Sequence, residues 1–190
     1  MKNLIVILSL IFIVTFMSCK KEDKSPFGSP VKFNLTVPLN YDYFTEIDSF
    51  AKKINAPVDS RMTSVNFSNA TNGLIPGKNY KIKIFPILEE TSFEDCVIFL
   101  RKQNAIMVGA PGLILALYLR KSEFPTDIAV FSFDEISALW KDNNGFPNIP
   151  GAQIKSHTDR YGYDVRFDFK PYYKEDFLEP GQALLCFTNK

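Results

Sequence analysis

Six residues, Tyr80-Lys81-Ile82-Lys83-Ile84-Phe85, alternate apolar and polar side chains. That period of two fits an extended strand, with Tyr80, Ile82 and Ile84 on one side and Lys81 and Lys83 on the other. Val31-Lys32-Phe33-Asn34-Leu35-Thr36-Val37 repeats the alternation as a half-buried strand, stopped by Pro38 and Asn40. Further strands are expected at Thr63 to Phe67, Ile128 to Phe131, Gln153 to Ser156, Tyr163 to Phe169 and Ala183 to Phe187, with turns between them at Gly- and Pro-containing stretches.

Helices interrupt the strands. Phe44, Ile47, Phe50 and Ala51 recur at three- and four-residue steps, predicting a short amphipathic helix over Tyr43 to Ile54. Thr91-Ser92-Phe93-Glu94 has the form of a capping box, in which the Thr91 hydroxyl accepts from the third helical amide and Glu94 reaches back. The helix after it would bury Phe93, Cys96, Val97 and Leu100 and leave Glu94, Arg101 and Lys102 in water. Ser132-Phe133-Asp134-Glu135 repeats the pattern and predicts a helix through Trp140, ended by Asp142-Asn143-Asn144-Gly145. Val108 to Gly112 reads as a tight turn. Leu113 to Leu119 is an unbroken apolar run, either a buried strand or a core helix, and its length and the bordering Gly112 favour strand. Strands mixed with two or three short helices predict an α+β fold with a largely antiparallel sheet in a single domain. The 18 Phe and 8 Tyr supply ample core.

The N-terminus is of another kind. Lys2 opens a basic start, Leu4 to Met17 carry no charge, and Ser18-Cys19 precede the polar block Lys20-Lys21-Glu22-Asp23-Lys24. A membrane-crossing helix needs about 20 apolar residues, so the run fits the apolar region of a secretory signal peptide. Through Phe16-Met17-Ser18-Cys19 the segment resembles the lipobox signal peptide of bacterial lipoproteins. The resemblance implies that residues 1–18 are removed and that Cys19 carries the lipid. Residues 19–30 would then be a flexible tether and residues 31–190 the domain. Extended at about 3.3–3.6 Å per residue, roughly ten tether residues would reach about 35 Å. The same resemblance implies the outer membrane, since Lys20 stands after the cysteine where the inner-membrane retention signal of some such lipoproteins has Asp. The Lys-Lys-Glu-Asp block is similar to export signals for its outer face, so the cell surface is favoured over the periplasmic face. The alternative is an ordinary secretory signal cut near Ser18, with Cys19 a bystander.

The formal charge of +1 falls to about zero without Lys2, so nothing attracts nucleic acid. With Cys19 lipidated, Cys96 and Cys186 are left. They either form a disulfide, which an oxidising envelope permits, or sit apart as core thiols. Thr91 to Phe187 also resembles small uncharacterised bacterial domains, through Thr91 to Cys96, Val108 to Gly112 and Phe131 to Glu135 ahead of Leu139-Trp140; no activity comes with that likeness.

Chemistry is sparse. His157 is the only histidine, so a His-assisted cysteine would be Cys96–His157–Asp159 or Cys186–His157–Asp164. Neither cysteine sits in a nucleophile motif, and no catalytic residue is assigned. The Cys and His count leaves no ordinary zinc set. Counted from Asp142, Gly145 falls fourth rather than sixth and Gln153 stands where a calcium loop needs its twelfth-position Glu, so neither metal nor cofactor is expected. Asp134/Glu135, or Glu175/Asp176 with Glu179, are carboxylate pairs that could serve glycoside hydrolysis, although Glu135 has a capping role to explain it. Tyr161, Tyr163, Tyr172, Tyr173 and Phe177 form an aromatic-rich tail, of which Tyr163 is expected to face the core. Tyr161, Tyr172, Tyr173 and Phe177 make a candidate binding surface for a protein or glycan. The favoured function is a non-enzymatic binding module, with the membrane as a partner through its lipid anchor. The alternatives are an envelope hydrolase and an inhibitor or immunity-type lipoprotein.

Overall fold

The two alternating stretches pair with each other. In the computed structural model, which describes residues 25–41, 52–57, 70–141, 144–173 and 176–189, Val31–Thr36 (β1) runs antiparallel to Asn79–Pro86 (β2). Phe33 lies opposite Ile82 and Leu35 opposite Tyr80, all four buried, while Lys32 and Lys81 are exposed. The chain continues through Thr91–Ser92 (β3) and two helices, Phe93–Lys102 (α1) and Gly109–Arg120 (α2). Then come Ala129–Ser132 (β4), Trp140–Lys141 (β5), Pro147–Ile154 (β6), Val165–Pro171 (β7), Phe177–Leu178 (β8) and Gln182–Asn189 (β9).

Among the described residues seven strands form one sheet in the order β1-β2-β9-β4-β6-β5, with β7 on the far side of β6. β4 and β9 are parallel and the other pairings antiparallel. β3 and β8 make a separate two-stranded ribbon. The fold is α+β, with a largely antiparallel sheet.

Each helix covers one face of that sheet. α2 packs with Ile82, Ile84, Val130, Ala152, Leu185 and Phe187. α1 packs on the opposite face with Phe85, Phe131, Ile149, Leu184 and Cys186. The alternation of Leu184, Leu185, Cys186 and Phe187 between the two clusters is the strand period expressed in three dimensions. Because β9 is covered on both faces, it reads as a continuous apolar run rather than an alternating one.

The sequence expectations need several corrections. Leu113 to Leu119 is helical, not extended, and Val108 to Gly112 leads into α2 rather than forming a free turn. Every residue from Gly109 to Leu117 is buried. A helix buried all round has no polar stripe to reveal its period. Its leucines and alanines are strong helix formers, and Pro111 sits in the first turn, where a missing N–H costs little.

Ser132 to Glu135 does not cap a helix through Trp140. Ser132 ends β4, Ile136–Ala138 is a single 3-10 turn with no side-chain cap, and Trp140 opens β5. The cap of α1 lies one residue later than expected. The Asp95 amide donates to Ser92 Oγ at 3.1 Å, whereas the Thr91 hydroxyl donates to the Glu89 carbonyl.

β6 begins six residues before its expected start at Gln153. Pro147 is its first residue. Pro150 falls between the residues matched by β4 and those matched by β5, where a missing N–H breaks no ladder on that edge. Cys96 and Cys186 are both buried free thiols, not a bridge. Cys96 Sγ faces the Thr91 carbonyl at 4.0 Å, and Cys186 lies in mid-strand opposite Lys83.

The stretch up to Pro30 is not all tether. Phe27 bridges to Ile87, and Pro26 and Gly28 exchange backbone hydrogen bonds with Leu88 and Pro86. Of the predicted helix over Tyr43 to Ile54, only Lys52 onward is described, and Lys52 and Lys53 are helical. The strand at Thr63 to Phe67 and the lipobox lie outside the described residues. Among the described residues no helix is long and apolar enough to cross a membrane.

Candidate functional site

α1, the segment leaving β4, and the β7–β8 connection enclose a groove of about 340 Å³ lined by Glu94, Val97, Ile98, Arg101, Asp134, Glu135, Ile136 and Tyr172. The ribbon β3–β8 brings these parts together. It pairs Ser92 with Phe177, and the Phe93 amide donates to the Asp176 carbonyl at 3.1 Å, so the β7–β8 connection is tied to the start of α1. Tyr172 follows; its amide donates to the Pro147 carbonyl at 2.6 Å, and its ring lies 5.5 Å from that of Phe93. Burial, then Glu94 and Cys96, push its hydroxyl pKa up.

Two of the three acids lining the groove, Asp134 and Glu135, are held by internal partners, while Glu94 is exposed. Asp134 is 4 % exposed. Its carboxylate accepts from the Thr71 amide at 3.1 and 3.3 Å and from the Glu135 amide at 2.7 Å. Its Oδ2 lies 3.0 Å from where a Cβ on Gly109 would stand, at the start of α2. A helix N-terminus favours a carboxylate, and the amide bonds act in the same direction. Burial outweighs them, so the Asp134 pKa is raised. Glu135 accepts from Arg101 Nη2 at 2.9 and 3.1 Å.

The apolar lining has no such cover. Ile98 is 41 % and Ile136 52 % exposed. Beyond Tyr172, the exposed Tyr173 meets Phe146 with ring centroids 5.8 Å apart. Phe177 is exposed on β8 beside Ser92. Three members of the expected aromatic surface thus belong to one segment crossing the start of α1. Tyr161 does not join them. It lies in the turn after the Ile154 end of β6, whereas Tyr172 is tied to the Pro147 end. Tyr163, expected in the core, is half-buried ahead of β7, its amide bonded to Asp159.

The cysteine arrangements are not assembled. Burial raises the Cys96 pKa to about 12 and that of Cys186 to about 11. His157 and Asp159 lie exposed in the turn after β6, and Asp164 is bound by Lys121 at 2.5 Å. Thiols so buried are inert nucleophiles. Asp142, Asn143 and Glu175 lie outside the described residues. Gly145 takes a φ of +82°, as a turn requires. Asp176 spends its carbonyl on α1, and the Glu179 amide donates to Gln182 Oε1 at 3.1 Å. Among the described residues no three His, Cys, Asp or Glu side chains are grouped to hold a metal.

Ile98 and Ile136 were the two exposed groove residues missed in the sequence, and Ile98 was the more legible. An apolar side chain among Glu94, Asp95, Arg101 and Lys102, off the buried stripe of α1, was the available signal. No protein-family model, curated protein or solved structure matches the chain.

Proposed function

We propose that the protein is a lipid-anchored, non-enzymatic binding module of the bacterial outer membrane, favoured on its outer face, whose groove along α1 receives a protein partner. One observation carries the reading. Asp134 and Glu135 are engaged by Thr71, Glu135 and Arg101, whereas Ile98 and Ile136 stand exposed at the mouth. A surface of uncovered apolar residues with an aromatic wall is the chemistry of an interface centre. The anchor rests on Phe16-Met17-Ser18-Cys19. Two or more acyl chains on Cys19 would hold the domain stably, where one would bind reversibly.

Two linked experiments test it. Intact mass and membrane fractionation should give a lipid-modified chain starting at Cys19, lost in Cys19→Ala; a soluble, unmodified chain overturns the anchor. A photo-crosslinker replacing Ile136 in intact cells should give a discrete protein adduct that Ile98→Asp removes and that is absent when the crosslinker replaces Leu39. Equal labelling at both positions overturns the groove.

One observation favours a second reading, an envelope hydrolase. Burial raises the Asp134 pKa, as a general acid needs, and Glu135 is its neighbour. Turnover of envelope glycans or peptides that is lost in Glu135→Gln would establish it.

A further inference from the structure

Residues Pro26 to Gly28 are stitched to the end of β2. The Leu88 amide donates to the Pro26 carbonyl at 2.8 Å, and the Gly28 amide to the Pro86 carbonyl at 2.9 Å. The Phe27 ring lies flat on Phe99 of α1, centroids 3.7 Å apart and planes 16° apart, and Phe99 meets Phe85 edge-on at 4.8 Å. Gly28 permits the approach, since a Cβ there would stand 2.8 Å from Pro86 Cγ. Ser25, the first of the described residues, therefore stands beside the outer side of α1.

We infer that this strap orients the anchored domain, turning the outer face of α1 toward the membrane. The inference rests on the lipid anchor proposed above. Only Lys20 to Lys24 separate Cys19 from Ser25, a span of roughly 20 Å even when fully extended at about 3.3–3.6 Å per residue. A domain of this size is about 40 Å across. α2 lies on the opposite face of the sheet from α1. With α2 toward the lipid, Ser25 would stand higher than the tether can reach.

The face so presented carries a second groove, of about 360 Å³, lined by Ser25, Phe27, Glu89, Glu90, Asp95 and Lys102 among others. Leu88 and Ile98 stand exposed beside it. Glu89, Glu90, Glu94 and Asp95 outnumber Arg101 and Lys102, so the tether holds this face near anionic headgroups without the face itself binding them. Ile98 lines both grooves. What enters the partner groove therefore approaches from the membrane side, as an extramembrane segment of a protein in the same membrane does.

The test uses the lipidated full-length protein in vesicles containing a headgroup-labelled acceptor lipid. A donor fluorophore is placed on Lys102→Cys, at the end of α1, or on Arg120→Cys, at the end of α2. Buried Cys96 and Cys186 stay unlabelled. Transfer from position 102 should be at least twice that from position 120, and Phe27→Ala should bring the two together. A flexible spacer of about twenty Gly and Ser residues after Lys24, reaching roughly 25 Å on average, should shrink the difference without touching the strap. Equal transfer in the parent protein, or a difference that survives both changes, overturns the orientation. Protein that fails to float with the vesicles instead overturns the anchor, and the orientation with it.

Discussion

The Arg101 guanidinium meets both oxygens of the Glu135 carboxylate, at 2.9 and 3.1 Å, and so ties α1 to the segment leaving β4 at the groove they both line. Both side chains are well exposed, and an exposed pair contributes little to stability, about 0.2–1 kcal/mol. Glu135→Gln should therefore leave the denaturant midpoint nearly unchanged. It frees Arg101 to swing away, so the Ile136 crosslink should weaken. A large loss of stability would show instead that the pair is structural.

Cys96 and Cys186 should be silent to a thiol reagent in the native protein at pH 8 and should both react in denaturant, read by absorbance or mass. Their folded pKa values, about 12 and about 11, exceed the ordinary thiol value of about 8.5. Unfolding lets the thiols ionise earlier. Their contribution to stability is fully present below about pH 8.5 and is lost as pH rises toward the folded values.

Asp134 gives a second pH signature. Its folded pKa is raised, so between the ordinary aspartate value of about 3.9 and the folded value the native state holds more protons than the unfolded chain. Stability from this group is complete below that window and declines as pH rises through it. Asp134→Asn keeps an oxygen to accept from Thr71 and Glu135 and removes the titration. The difference between the two stability–pH profiles should show the decline, and parallel profiles would contradict it.

Gly151→Ala probes packing between the paired strands β4 and β6, where Gly151 lies opposite Phe131. The added Cβ would stand 2.5 Å from the ring of Phe131, which is fully buried between α1 and the sheet. Overpacking of this kind costs typically about 1–3 kcal/mol. Urea unfolding should show the midpoint falling with the slope unchanged.

The sequence revealed those elements that meet water on one side. β1 and β2 alternate because α2 covers one face while much of the other is solvated, and α1 carries a visible apolar stripe. α2 was misread for the opposite reason, since complete burial erased its period. The second cap failed because local pattern lost to pairing: Ser132 was taken into β4, and Glu135 turned to Arg101 instead of a helix amide. Asp134, Glu135, Tyr172 and Tyr173 all drew notice as residues. What the sequence could not show was their meeting over α1, because the β3–β8 pairing that fixes it joins Ser92 to Phe177 across most of the domain.

β9 lies between β2 and β4, and among the described residues it is the last of the nine strands in chain order. Until it arrives, β1 and β2 on one side and β4 to β7 on the other have no seam. A chain that still lacks β9 therefore cannot close its sheet. Removing β9 should yield two half-sheets and a protease-sensitive chain rather than a slightly weakened domain. The order of the strands acts as a clock, holding back closure of the sheet until β9 has been made.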